Sequence, residues 1–264
     1  MIGLFDAHTH LFEETYVRLG IKTSKIIEEA LTNQVAGICC SGFDVASSEE
    51  AAKYSMKYDI VYASVGVHPD QANTTSLMDL TKIDDLCFYD KVVAVGEIGL
   101  DYFVKKLNKD KQIALFEEQL KIAKKHDLPV VLHVRDIEGT LDAYKDALKI
   151  LKKHNINKGI LHCFTQDYET AKSYIDSGFY ISIGGIVTFD NAKEFQSVVE
   201  KISINNIVIE TDAPYLTPVP KRGTVNFPKY IGYTAKKISE LKKLPLNDVI
   251  NTTCNNAKKV FKIK

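Results

Sequence analysis

His8 and His10 stand two residues apart behind the apolar run Leu4-Phe5-Asp6-Ala7. On a strand, that spacing turns both imidazoles to one face, where they can grip one metal ion. Four more residues of ligating type sit at or near the ends of other apolar runs. They are Glu97 after Val92–Gly96, His133 after Pro129-Val-Val-Leu, His162 after Gly159-Ile-Leu, and Asp212 after Ile207-Val-Ile-Glu-Thr. His68, in Gly66-Val-His-Pro, points toward the same face and is expected to support a ligand or touch substrate. Four histidines and two carboxylates suffice for two divalent ions that share Glu97. A mixed nitrogen and oxygen set suits Mg²⁺, Mn²⁺ or Zn²⁺, and without a set of thiolates it is not a structural zinc site. Two such ions activate a water and stabilise a leaving oxygen, which is hydrolysis. Asp212 could both ligate an ion and take the proton of the water.

Each residue alone has a plainer explanation. A histidine-x-histidine pair can be a polar strand end, a lone strand-end histidine is commonly core, and a buried glutamate can belong to a salt bridge. Their equivalent positions on separate runs favour a shared site. His126 and His154 are set apart, because each follows a Lys-Lys pair at a helix end, where the dipole favours a cation; both are expected at the surface. Cys163 beside His162 could form a nucleophile pair, but adjacent strand residues point to opposite faces. The five cysteines form no Cys-x-x-Cys pair, and most are expected as small core residues of a reduced, cytoplasmic protein.

Few architectures bring the ends of many strands to one point. Apolar runs at 2–7, 35–40, 60–66, 92–97, 129–133, 159–163, 179–183 and 206–210 alternate with helical patterns. The clearest helix spans about 109–126, with others near 140–153, 167–177 and 191–201 and two in 229–262, separated near Pro245. A (β/α)₈ barrel gathers its strand ends at one face and typically takes about 250 residues. The 264 residues therefore read as one TIM-like barrel domain, 1–264. A doubly wound open sheet is the competitor, but ligands at both chain ends favour closure of strand 1 on strand 8. Residues 213–228 carry four of the seven prolines after strand 8, on the face where barrels bind substrate. No stretch is long and apolar enough to span a membrane, the N-terminus lacks a secretory pattern, and no obligate protein partner is evident. A net charge of zero argues against a pure nucleic-acid-binding module without excluding a local site. Only Arg18, Arg135 and Arg222 are arginine, and two of these fall in the candidate site segments, where a guanidinium fork would suit phosphate.

The chain resembles the TatD-like metal-dependent deoxyribonucleases of the amidohydrolase superfamily along nearly its whole length. The resemblance rests on Phe5-Asp-Ala-His-Thr-His, Gly66-Val-His-Pro, Gly96-Glu-Ile-Gly-Leu-Asp-Tyr, Leu128-Pro-Val-Val-Leu-His-Val-Arg-Asp and His162-Cys-Phe. It continues through Glu210-Thr-Asp-Ala-Pro-Tyr-Leu and Pro218-Val-Pro-Lys-Arg-Gly with Asn226-x-Pro228. The resemblance implies a TIM-like barrel that hydrolyses DNA ends in the 3′-to-5′ sense, with single-stranded ends as substrate. It implies one ion on His8, His10 and Asp212, a second on His133 and His162, and Glu97 bridging. Arg222 is then expected to bind phosphate, Asn226 to share its loop motif, and Arg135 to contact substrate or anchor structure. Two departures bear on substrate: Asp70 stands where members often have histidine, and Thr165-Gln166-Asp167 where many have Ser-Gly. The alternative is another ester or amide at the same site, such as an aminoacyl ester on tRNA or a lactone. Many amidohydrolases bridge with a modified lysine, so Glu97 favours the nuclease-like branch.

Overall fold

The structure is a computed structural model that describes residues 3–104 and 108–264. Eight strands form: β1 (Leu4–Thr9), β2 (Val35–Ser41), β3 (Val61–Val65), β4 (Val92–Asp101), β5 (Val130–Arg135), β6 (Gly159–Leu161), β7 (Phe179–Ile183) and β8 (Ile207–Ile209). Each matches one of the eight apolar runs; Ile2, in the first run, lies outside the described residues. The helices are α1 (Glu14–Arg18), α2 (Thr23–Thr32), α3 (Val45–Lys57), α4 (Leu77–Leu86), α5 (Lys109–Lys125), α6 (Asp142–His154), α7 (Tyr168–Ile175), α8 (Lys193–Lys201), α9 (Ile231–Lys242) and α10 (Leu246–Val260). Caps written in the sequence start several of them. Asp44 and Ser47 box the start of α3, and the Asp167 carboxylate accepts from Thr170 N at 2.7 Å to open α7. None of the described helices is long and apolar enough to cross a membrane.

The strands pair in parallel and in sequence order from β1 to β8. The seam between β8 and β1 is joined just past the end of β8. Asp212 N donates to His8 O at 3.0 Å, and His10 N donates to Ala213 O at 2.8 Å. Lower in the seam a side chain replaces the ladder: the Asp6 carboxylate accepts from Thr211 N at 2.9 Å and from Thr211 Oγ1 at 2.6 Å. The result is a TIM-like (β/α)₈ barrel. Inside it, Phe5, Ala7, Cys39, Val131, Ile160 and Val208 pack with Cys254, Ala257, Val260 and Phe261 from the end of the chain. A larger layer lies between the strands and the helices. Apolar side chains thus fill the barrel interior, joined by the buried face of α10, and the polar residues gather where the strands end.

Two irregularities decide where the chemical side chains point. Asp6 pairs with Ile38 and Thr9 with Cys40, so β1 holds three steps against two in β2. Phe5 and Ala7 are inside the barrel, and plain alternation would turn His8 and His10 outward; the extra residue resets the alternation. In β4, Val95 pairs with Val130 and Ile98 with Leu132, again three steps against two. Val95 and Ile98 both pack under the helices, so Gly96 and Glu97 share the inward position between them. A Cβ on Gly96 would lie 2.5 Å from Val131 Cβ, and one on Gly99 2.0 Å from the His133 carbonyl oxygen. Glycine at both is what lets β4 lie against β5 here.

Candidate metal centre

The bulge of β4 aims the two oxygens of Glu97 at different histidine groups. Its Oε2 lies 3.5 Å from His8 Nε2 and 3.9 Å from His10 Nε2. Its Oε1 lies 2.9 Å from His133 Nδ1 and 3.0 Å from His162 Nε2. Asp212 Oδ1 completes the first group, 3.6 Å from His8 Nε2 and 3.4 Å from His10 Nε2, which are themselves 3.2 Å apart. Ligand atoms about 2.1 Å from one ion in a tetrahedron lie roughly 3.4 Å from each other. The first group therefore has the spacing of a divalent-ion site. His68 joins the second side, with Nε2 3.8 Å from Glu97 Oε1, so it is close enough to count among the possible ligands. All six nominated ligands meet at one place, and the donor set fits divalent metal.

The rings are held by their other atoms. His10 Nδ1 bonds the Ser41 carbonyl at 2.8 Å, which leaves Nε2 with its lone pair toward the site. His133 Nε2 lies 3.1 Å from Asp101 Oδ2, while Nδ1 faces Glu97. His162 Nδ1 lies 3.5 Å from the carboxylate of Glu210, which is fully buried. Glu210 also accepts from Cys163 N at 2.7 Å and Ser182 Oγ at 2.5 Å. Carboxylates behind ligand imidazoles fix ring orientation and raise basicity. Asp101, Glu210, Ser41 and Asp6 were not among the sequence candidates. Asp101 and Glu210 stood within the motifs already quoted, as acids four residues after Glu97 and two before Asp212.

The electrostatics ask for cations. Burial opposes ionisation of Glu97, yet the charge of His162 and hydrogen bonds from His133, His162 and His8 hold it well below the usual range. Asp212 is likewise lowered against burial, by His10 and the charges of His162 and His8. His162 is raised well above its ordinary value against burial by Glu97 and Glu210. His133 rises through Asp101 and Glu97, and His10 through Asp212 and Glu97, each against burial. His8 is lowered by burial and by the charge of His162. Protons on histidine here supply charge that a metal ion would supply instead. Asp6 is the exception, since burial pushes its carboxyl up to about 8.

The group opens into a cavity of about 750 Å³. Among the described residues its lining carries six carboxylates, Glu13, Asp70, Glu97, Asp136, Glu138 and Asp212, and the guanidinium of Arg135. Thr165 and Gln166 lie in the same wall, as do Tyr215 and Leu216, which bring the proline-rich loop into the site.

Several sequence expectations change. Glu97 does not end its strand, because β4 continues to Asp101; the bulge, not the terminus, delivers the carboxylate. Asn226 is fully buried, and its amide donates to Thr211 O at 2.8 Å and Tyr215 O at 2.7 Å and accepts from Phe227 N at 2.9 Å. It holds the loop and has nothing left for a substrate. Arg222 is exposed and lies over the Phe189 ring at 4.0 Å, outside the residues that line the cavity. Arg135 and His68 do line the cavity. His126 and His154 are half-buried rather than surface residues, with His126 Nε2 2.7 Å from Asp84 and His154 Nε2 3.6 Å from Glu117. Cys163 is not on a strand: it follows β6 with φ 48 and lines the cavity beside His162. Burial first, then Asp212, Glu210 and Glu97, push its thiol well above the ordinary value. The nucleophile pair fails for that reason, not because the two residues face apart.

A family model described as TatD related DNase matches residues 5–262. The Bacillus subtilis protein YabD, an uncharacterised metal-dependent hydrolase, is 40% identical over 262 residues, 98% of this chain and 99% of that protein. Escherichia coli YcfH, named likewise, is 32% identical over 98% of this chain and 96% of its own. The crystal structure of YjjV, a TatD homologue from Escherichia coli, superposes with a TM-score of 0.91 at 27% identity and covers the whole of both chains.

Proposed function

This chain belongs to the TatD-related DNase family and is a metal-dependent hydrolase, and we propose that it removes nucleotides from single-stranded DNA in the 3′-to-5′ sense. The observation that carries the reading is the placement of Glu97, one oxygen facing His8 and His10 and the other facing His133 and His162. We assign one divalent ion to His8, His10, Asp212 and Glu97, and a second to His133, His162 and Glu97, with His68 in reach. Two such ions, when bound, lower the pKa of a water and stabilise charge on phosphoryl oxygens. They would also offset four of the five net negative charges that the described residues bring to the cavity lining, without which a phosphodiester would be repelled. Asp212, ionised and open to the cavity, takes the proton of the attacking water. As the water oxygen bonds to phosphorus, the bond to the outgoing sugar oxygen breaks, and the proton passes from Asp212 to that oxygen. Five free thiols support a reducing, cytoplasmic setting.

The acidic lining favours one second reading, hydrolysis of an uncharged ester, lactone or aminoacyl ester at the same centre. End-labelled single-stranded DNA separates the two. Metal-stripped protein should be inert, should shorten the strand stepwise once Mg²⁺, Mn²⁺ or Zn²⁺ is restored, and should lose this in Glu97→Ala of unchanged circular dichroism. A folded, metal-loaded protein that leaves DNA intact and cleaves a lactone or aryl ester would replace the first reading with the second.

A further inference from the structure

The cavity has two aromatic stations on opposite sides of Glu97, and the metal chemistry uses neither. On the Oε2 side, His10 is flanked by Phe43, with ring centroids 5.8 Å apart, and by Tyr215, 6.2 Å away. Tyr215 lines the cavity yet stays 48% exposed. On the Oε1 side, Asp101 holds His133 Nε2 at 3.1 Å and accepts from Phe103 N at 3.0 Å. Phe103 is 47% exposed, and the Arg135 guanidinium lies over its ring at 3.8 Å. Among the described residues this aromatic surface is left open inside a concave polar site, where a flat partner would cover it. Both stations are tied to histidines that face the two oxygens of the bridging glutamate.

We propose that these stations are base-stacking subsites, one nucleobase on Tyr215 beside Phe43 and the other on the Arg135 plane supported by Phe103. The inference rests on the DNA reading above and deepens it to a footprint of one unpaired base on each side of the scissile phosphate. Every base has a flat π-face, so stacking on tyrosine or on a guanidinium holds a strand without reading its sequence. It also supplies the grip that the acidic lining withholds from the sugar-phosphate backbone. Duplex DNA keeps its bases stacked on one another and cannot offer both faces at once. Asp70 fits this division, since its carboxylate, 2.9 Å from His68 Nδ1, repels further phosphate and leaves recognition to the bases.

The test crosses protein rings with DNA bases. The substrates are a labelled oligonucleotide and the same strand made abasic at the terminal or the penultimate 3′ nucleotide. The proteins are metal-loaded wild type, Tyr215→Leu, Tyr215→Phe and Arg135→Lys. In wild type each abasic change should raise KM roughly tenfold, with kcat little moved. Tyr215→Leu should raise KM for the intact strand by a similar factor and become indifferent to one of the two abasic positions. Arg135→Lys, which keeps charge and loses the plane, should become indifferent to the other. Tyr215→Phe should restore the lost affinity, because it keeps the ring. Abasic penalties that stay the same size in both substituted proteins would overturn the stacking subsites while the nuclease reading stands. If wild type cuts no DNA under any metal, both readings fail together.

Discussion

Glu210→Gln isolates the carboxylate that stands behind His162. Glu210 is fully buried, so its removal can act in two ways. Glu210→Ala would strand the Cys163 N–H and the Ser182 hydroxyl, each worth about 1–3 kcal/mol when a buried partner is lost, and would confuse unfolding with function. Glutamine keeps the shape and an oxygen for Cys163 N, and the Ser182 hydroxyl can turn to accept from the new amide. What glutamine lacks is the charge 3.5 Å from His162 Nδ1. Loss of such a partner behind a ligand histidine costs roughly 10–100-fold in metal affinity, or about 1.4–2.8 kcal/mol. The loss should fall on the ion held by His133 and His162, not on the one held by His8 and His10. Isothermal titration of metal-stripped protein with Mn²⁺ or Zn²⁺ reads both steps, and the visible spectrum of a Co²⁺ form reports the ligand field directly. Ser182→Ala is the control, expected to lower stability by about 1 kcal/mol and to leave both affinities nearly intact. If Glu210→Gln binds both ions as wild type does, or loses the His8–His10 ion instead, the assigned role of Glu210 is wrong.

Two further outcomes follow from buried polar side chains. Burial raises the Asp6 carboxyl from 3.8 to about 8, so between those values the folded chain keeps a proton that the unfolded chain has lost. The Asp6 contribution to the stability of the metal-stripped protein should therefore be fullest below about pH 4 and fall toward pH 8, by up to about 1.4 kcal/mol per unit. His162, His133 and His10 are also raised and act in the same direction, while the lowered Glu97 and Asp212 act in the opposite one at the acid end, so the measure is the urea-derived stability of wild type minus Asp6→Asn across that range. A difference that does not change with pH would show that Asp6 is ionised in the fold. Asn226→Ala removes partners from two carbonyls and one N–H, and should cost about 2–4 kcal/mol in denaturant unfolding. Unchanged stability with a raised KM alone would return Asn226 to the substrate.

The barrel was legible because its cause is local. Runs such as Val92-Val-Ala-Val and Val130-Val-Leu suit parallel strands covered on both faces, and all eight expected runs are strands in sequence order. The C-terminal helices divide where Pro245 stands, between α9 and α10. The ligand residues were legible by type and position, since strand ends are where a barrel converges. Closure of β1 on β8 was expected from ligands at both ends of the chain. That the Asp6 side chain makes part of that seam was not, because a single aspartate inside an apolar run carries no sign of its partner.

What the sequence hides is direction. Strict alternation puts Phe5 and Ala7 inside the barrel and His8 and His10 outside, so the expectation that His8 and His10 share a face was right while their face depended on an unseen bulge. The apolar run stops at Glu97 and so marks a strand end there, yet hydrogen bonding carries β4 on to Asp101 around a second bulge. Both ends of the bridging geometry thus rest on one extra residue in each of two strands, a feature that composition and periodicity do not register. The same blindness covers the substrate residues. Arg222 and Asn226 share a loop motif, but the backbone lays one over the ring of Phe189 and buries the other against the Tyr215 carbonyl. Chemistry is written in residue types, whereas reach is written in backbone register. The misplaced expectations therefore concentrate on side chains whose direction depends on loops and bulges.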